Sequence, residues 1–199
     1  MQNPESKENL KEVYNRLAPR WSQAVWGDEG LQKFIKLVGR GKVLDLGCGS
    51  GIQSKTLSEA GLEVTGIDFA EKMIEEARKK VPEAAFFTMD ILDLDFPPEH
   101  FDGVYARASL LHTPKNKIKQ VLKNLHKILK RNGIMYVALK EGESERDVYD
   151  EGLGVSRFFA FYKEDEFKKL LEEEHFQLME TMYAQTERNR WLQFFAKKV

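Results

Sequence analysis

The run Val43-Leu44-Asp45-Leu46-Gly47-Cys48-Gly49-Ser50-Gly51 constrains this chain more than any other stretch. A short apolar strand leads straight into three alternating glycines, and a helical pattern begins at Ile52. Glycine permits a sharp turn and lets a ligand approach the backbone with no Cβ in the way. The helix that follows offers unpaired N–H groups and the positive end of its dipole. A loop at the C-terminal end of the first strand is also where open α/β sheets bind ligands.

The rest of the pattern is helices alternating with short apolar runs, which predicts α/β with a mainly parallel sheet. Residues 5–25 read as one or two helices interrupted by Pro19, with Leu10, Val13, Tyr14 and Leu17 at helical spacing. Further helices are expected at 28–38, 52–60, 71–80, 114–131 and 163–174. For 114–131, Thr113 is the expected N-cap and Asn132-Gly133 the stop. Strands are expected at 42–46, 63–67, 85–89, 102–106 and 134–139, then a hairpin of 176–183 and 191–198.

Composition narrows the function classes. The 199 residues carry 31 basic and 32 acidic side chains, a formal net charge of −1, which gives no bulk signal for a nucleic-acid binder. A single cysteine, Cys48, excludes an internal disulfide framework and a Cys-rich zinc site, and it fits a reducing compartment. No His/Asp/Cys cluster points to a metal. The longest apolar run, residues 134–139, is far short of the ~20 residues that span a bilayer. The polar start MQNPESKENLKEVY has no apolar core of the signal-peptide kind, so a soluble cytoplasmic protein is expected.

The glycine loop departs from the dinucleotide fingerprint Gly-x-Gly-x-x-Gly, because the sixth position from Gly47 is Ile52 and the third glycine comes early, at Gly51. Asp45 lies two residues before the first glycine, where a carboxylate would repel a pyrophosphate but favour an ammonium group. The ligand so implied carries a positive group and no diphosphate. Asp68 lies 21 residues after Gly47 at the end of the second strand, placed either to accept from two ribose hydroxyls or to cap the helix beginning at Glu71.

With these residues in place, the chain resembles the class I S-adenosylmethionine-dependent methyltransferases, most strongly over residues 40–140, and within them a bacterial and archaeal small-molecule subset. The resemblance implies a Rossmann-like three-layer sandwich with a seven-stranded, mainly parallel sheet whose last strand is antiparallel. It implies S-adenosylmethionine as cofactor and a small molecule as methyl acceptor. Asp45 and the loop Gly47, Cys48, Gly49 and Gly51 would cradle the methionine part, and Asp68 the ribose. Phe69 and Met73 would pack on the adenine, unless they are simply core residues. Asp90 would accept from the adenine amine while the Ile91 N–H reads a ring nitrogen. The backbone near Ala106 and Arg107 would run past the methionine part.

The same resemblance treats residues 1–27 as a helical lid, with Tyr14 and Trp21 touching cofactor or acceptor, and 28–199 as the methyltransferase domain. Arg107 and Arg157 are candidates for an anionic acceptor, each with an ordinary ion pair or cation–π contact as the alternative. Tyr14 and His112 are the candidate catalytic residues, His112 because an unshifted imidazole titrates near neutrality. The helix 114–131 carries Lys115, Lys117, Lys119, Lys123, Lys127, Lys130 and Arg131 and no acid. A solvated face is the expectation there, an RNA- or protein-directed methyltransferase or a non-catalytic cofactor-binding module being the rival readings. Monomer and homodimer are equally open.

Overall fold

The computed structural model describes residues 4–23 and 29–199. The chain opens with α1 (Pro4–Trp21) and α2 (Glu29–Val38). The first crossover units follow as β1 (Lys42–Leu46), α3 (Ile52–Glu59), β2 (Glu63–Asp68), α4 (Glu71–Lys80) and β3 (Ala85–Thr88). The second half is β4 (Phe101–Arg107), a 3₁₀ turn (Leu110–His112), α5 (Lys115–Ile128) and β5 (Leu129–Lys140). It ends with β6 (Glu145–Asp150), β7 (Val155–Ala160), α6 (Glu164–Glu173), β8 (Phe176–Gln185) and β9 (Arg190–Lys198).

Seven strands form one sheet in the order β3-β2-β1-β4-β5-β9-β8. The pairs from β3 through β5 are parallel, and β9 lies antiparallel to both β5 and β8. The α/β architecture and the antiparallel last strand are as expected. The chain winds outward from β1 to β3 and then returns to β4 on the other side of β1, so the order reverses between β1 and β4. Loops leaving those two strands diverge and open a crevice at their C-terminal ends.

Side chains sort to the two faces with a period of two, as a strand requires. Leu44, Val104, Met135, Val137 and Phe194 join Ile118, Val121, Leu122 and Leu125 of α5 in the larger core. Val43, Tyr105, Tyr136 and Phe195 face the other way, onto Leu31 and Phe34 of α2 and Leu57 of α3. Tyr105 and Tyr136 stack with ring centroids 4.7 Å apart. These two apolar layers around one sheet explain why β5 is buried almost throughout from Ile134 to Leu139.

The structure corrects several boundaries. Pro19 does not break the first helix. It sits in the last turn of α1, where a missing N–H removes only one bond near the end. The helix after Pro114 ends at Ile128, not at Arg131, because β5 starts at once at Leu129. Leu129 pairs with Phe101 and Ile134 with Gly103, so residues 130–133 bulge out, with Asn132 at a φ of 63°. Thr113 is not the cap of α5. Pro114 holds that position and the buried Thr113 hydroxyl has no partner. Strands β6 and β7, a separate antiparallel ribbon, were not expected from the sequence. The expected division between a lid and a domain at residues 27 and 28 lies outside the described residues, as does the end of the first expected helical region.

Three cations of the lysine-rich segment are paired with carboxylates: Lys115 with Glu166 and Lys119 with Glu173, both at 2.7 Å, and Lys130 with Asp102 at 2.8 Å. Among the described residues no helix is long and apolar enough to cross a membrane.

Leu122 is fully buried between α5 and the sheet. Leu122→Ala should destabilise the protein by about 2–5 kcal/mol, because the removed methyls leave a cavity that a packed sandwich only partly closes. Urea unfolding followed by circular dichroism measures this.

Candidate active site

The crevice at the β1/β4 switch is a cavity of about 430 Å³, within the usual size of small-molecule sites. One end is built by the loop after β1, the end of β2 and the turn after β3. The other lies beneath α1, the 3₁₀ turn and the β6–β7 ribbon.

At the first end, the Gly47 and Cys48 N–H groups donate to the Ile67 carbonyl at 2.8 and 2.9 Å, which ties the loop to β2. The glycines do different work. Gly47 has a φ of 74°, and a Cβ there would lie 2.4 Å from the Ser109 Cβ, so β1 and the segment after β4 meet only if this residue is glycine. A Cβ on Gly49 would meet only the Met73 Sδ, at 4.0 Å, and this residue faces the cavity. Gly51 instead packs against Ala77 of α4 and does not line the cavity.

Asp68 is buried at the end of β2. One carboxylate oxygen accepts from the Gly49 N–H at 3.0 Å and the other from the Ala70 N–H at 2.9 Å. Asp68 thus holds the loop and the helix start together, and the Asn15 side chain of α1 accepts from the Lys72 N–H in the first turn of α4 at 2.9 Å. Burial pushes its pKa up to about 6, partly offset by the backbone donors. Cys48, Phe69, Met73, Asp90, Ile91 and Arg107 line the cavity. Asp90 accepts from the Leu92 N–H at 3.0 Å, which shapes the turn after β3. The Cys48 thiol is buried, and its pKa is raised by that burial.

Asp45 departs from the expectation. It does not line the cavity. Its carboxylate accepts from the Ser54 hydroxyl at 2.6 Å inside the fold, and burial pushes its pKa up to about 7. The alternation of β1 explains this: Leu44 and Leu46 share one face, so Asp45 takes the other, beneath α3.

At the second end the structure brings together residues far apart in the chain. The His112 Nδ1–H donates to the Phe158 carbonyl at 2.7 Å, since a carbonyl only accepts. Nε2 is then the acceptor, and the Tyr14 hydroxyl donates to it at 2.7 Å. Arg157 reaches the Tyr14 oxygen at 3.5 Å and pairs with Asp150 at 2.7 Å. Tyr14 also meets Trp21 and Phe69 edge to face, with centroids 6.3 and 5.8 Å apart. Helix α1, the 3₁₀ turn and β7 are thus joined by one hydrogen-bond chain. The near-neutral imidazole expected for His112 is not found. Burial pushes its pKa down to about 3, so the ring is neutral and its lone pair is engaged by Tyr14.

The lining residues not singled out as site candidates from the sequence include Lys140, Asp150, Phe159 and Trp191 at this end. Phe159 and Trp191 do stand in aromatic runs visible in the sequence. Lys140 and Asp150 gave no signal, because isolated charges beside strands look like surface residues. Burial pushes the Lys140 pKa down to about 8, and Arg157 nearby acts in the same direction. Among the described residues no group of His, Cys, Asp and Glu is placed to hold a metal ion.

With this geometry in hand, comparison with known proteins gives a consistent result. Residues 43–133 match the family described as "Methyltransferase domain". Over just under half of its length the chain is thus similar to a methyltransferase domain. It is 37% identical over 106 residues to the trans-aconitate 2-methyltransferase of Enterobacter sp. (strain 638), covering 52% of this chain and 40% of that protein. It is 33% identical over 127 residues to the demethylmenaquinone methyltransferase of Lysinibacillus sphaericus (strain C3-41), covering 61% and 50%. The chain therefore spans about two fifths to one half of the length of these curated relatives. Its fold is that of the 1,6-didemethyltoxoflavin-N1-methyltransferase of Burkholderia thailandensis, with a TM-score of 0.79 at 20% identity, covering 100% of this chain and 92% of that one. The match across residues 43–133 ends before β6, so Lys140, Asp150, Arg157 and Phe159 at the second end of the cavity lie outside it.

Two outcomes follow. A carboxyl whose folded pKa is raised stabilises the fold only while protonated, so that contribution fades as pH rises from about 4 through about 7 for Asp45. Each pKa unit of such a shift corresponds to about 1.4 kcal/mol. Asp45→Asn, which keeps an acceptor for Ser54, should remove this loss. The difference in urea midpoint between variant and wild type should grow in favour of the variant from pH ~4.5 to pH ~8. Gly47→Ala should unfold at lower temperature than Gly39→Ala, a second positive-φ glycine whose Cβ would meet nothing within 4 Å. Calorimetric melting of the two variants makes the comparison.

Proposed function

We propose that this protein transfers a methyl group from S-adenosylmethionine to a small-molecule acceptor. The observation that carries this reading is the cavity itself. It joins the Gly47–Ser50 loop, Asp68 and Asp90 at one end to Tyr14, His112 and Arg157 at the other. The first end fits the cofactor. Gly49 leaves open space where a Cβ would stand, the buried Ser50 hydroxyl has no partner, and Asp68 is held rigidly at the rim. In this reading Asp68 holds the ribose hydroxyls, Asp90 and the Ile91 N–H hold the adenine, and Phe69 and Met73 cover its ring.

The bound cofactor supplies a methyl group that is already electrophilic on its sulfonium. What the chain must add is alignment and exclusion of water. Tyr14 and His112 serve as positioning residues rather than as a base, because the imidazole lone pair is engaged by Tyr14 and burial lowers the pKa to about 3, which makes it a weak proton acceptor. Their hydrogen-bond chain to Phe158 holds α1 across the cavity, and Trp21 and Phe159 give the acceptor end apolar walls.

Calorimetry with S-adenosylmethionine, S-adenosylhomocysteine and NAD tests this. Both sulfur ligands should bind and NAD should not. Asp68→Ala should weaken both by about 10- to 100-fold, as expected for losing hydrogen bonds to a carboxylate. Labelled methyl transfer into a metabolite extract should accompany binding. Well-folded protein that binds neither sulfur ligand overturns the reading.

A further inference from the structure

Lys140 ends β5 at the acceptor side of the cavity, opposite Trp191 in the β5–β9 ladder. Its ammonium stands 3.9 Å from the Phe159 ring centroid and 5.7 Å from that of Trp191. Among the described residues no carboxylate lies within ion-pair distance of it. Asp150 is the acid that lines this end, and Arg157 engages it at 2.7 Å. The other two acids of the cavity wall, Asp68 and Asp90, belong to the opposite end. Arg157 in turn has a buried Nε with no partner. Among the described residues this end of the cavity therefore sets Lys140 and Arg157, with Arg107 also in the cavity wall, against the one carboxylate of Asp150.

A half-buried ammonium without a counter-ion is costly, and a cation–π contact repays only part of its lost hydration. Burial and the neighbouring guanidinium both disfavour its charge, and the Asp150 carboxylate offsets only part of this. Such a cation is stabilised when an anion enters the cavity and completes the pair.

We propose that Lys140, assisted by Arg157, is the specificity-determining residue of this cavity and holds a carboxylate group of a flat, apolar acceptor bound at the end of the cavity lined by Phe159 and Trp191. This deepens the methyltransferase reading and rests on it for the term acceptor. The carboxylate is an anchor: it pairs with the ammonium and the guanidinium, and no bond to it is made or broken by them. A lysine at this position selects an acid over its amide, because the amide leaves the ammonium unpaired.

The test uses the full chain with and without saturating S-adenosylhomocysteine. Benzoate, trans-cinnamate and indole-3-acetate are titrated against benzamide, cinnamamide and indole-3-acetamide by saturation-transfer NMR. Wild type should bind at least one acid about ten-fold more tightly than its amide. Lys140→Met, which keeps the packing against Phe159 and Trp191, should lose that preference. Lys140→Arg should retain it. Both variants should bind S-adenosylhomocysteine as wild type does and melt within a few degrees of it. Equal binding of acids and amides by wild type, no binding of any of the three acids, or an unchanged preference in Lys140→Met overturns the proposal. Acid preference that depends on Lys140 in a protein that binds no S-adenosylhomocysteine leaves the anion site standing and overturns the methyltransferase reading instead.

Discussion

The architecture of the cavity depends on one carboxylate. Asp68 joins two backbone segments that would otherwise diverge, accepting from the Gly49 N–H with one oxygen and from the Ala70 N–H with the other. The Gly47 and Cys48 amides add a second tie, to the carbonyl of Ile67. The loop after β1 is thereby held against β2 and α4 rather than free over the crevice. A buried carboxylate is costly unless its oxygens are satisfied, and here the backbone satisfies them. The same hydrogen bonds that reduce this cost fix the shape of the rim.

The other end is assembled on a different principle. No backbone ladder joins α1 to β7. Side chains do it, through the chain from Tyr14 to His112 to the Phe158 carbonyl and through Arg157 between Tyr14 and Asp150. Both imidazole nitrogens are engaged, so the histidine that looks like a proton acceptor in the sequence has no free lone pair in this structure. A methyl donor that is itself electrophilic fits such a site, because alignment supplies much of the rate. Lys140 and Arg157 carry positive charge at this end, and among the described residues only the latter has a carboxylate within ion-pair distance.

Legibility differed sharply between the two ends. The strand before Gly47, Asp68 at the end of β2, and Asp90 with Ile91 after β3 were all readable, because each follows from local rules of strand, turn and helix. Asp45 was readable as a motif residue but not as to its surroundings. Its neighbours on β1 sit on alternate faces, and that alternation places it beneath α3 with Ser54 and away from the cavity. The β6–β7 ribbon escaped notice because Glu145-Arg146-Asp147-Val148-Tyr149-Asp150 has five polar or aromatic residues around one valine and no apolar stripe. Its pairing with β7 is decided by the cover it forms, not by its own pattern.

The sequence by itself determined the α/β class, the glycine turn, the acids that end β2 and β3 and the antiparallel last strand. These rest on period-two and period-3.6 patterning and on the freedom of glycine, which act over a few residues. Only the tertiary structure decided which side chains meet at the second end of the cavity. Tyr14, His112, Lys140, Asp150 and Arg157 come from five separate segments, and each alone is an ordinary polar residue. Sheet order and the covering ribbon bring them within reach of one another, and burial then changes their chemistry: it neutralises an imidazole and leaves an ammonium without a counter-ion.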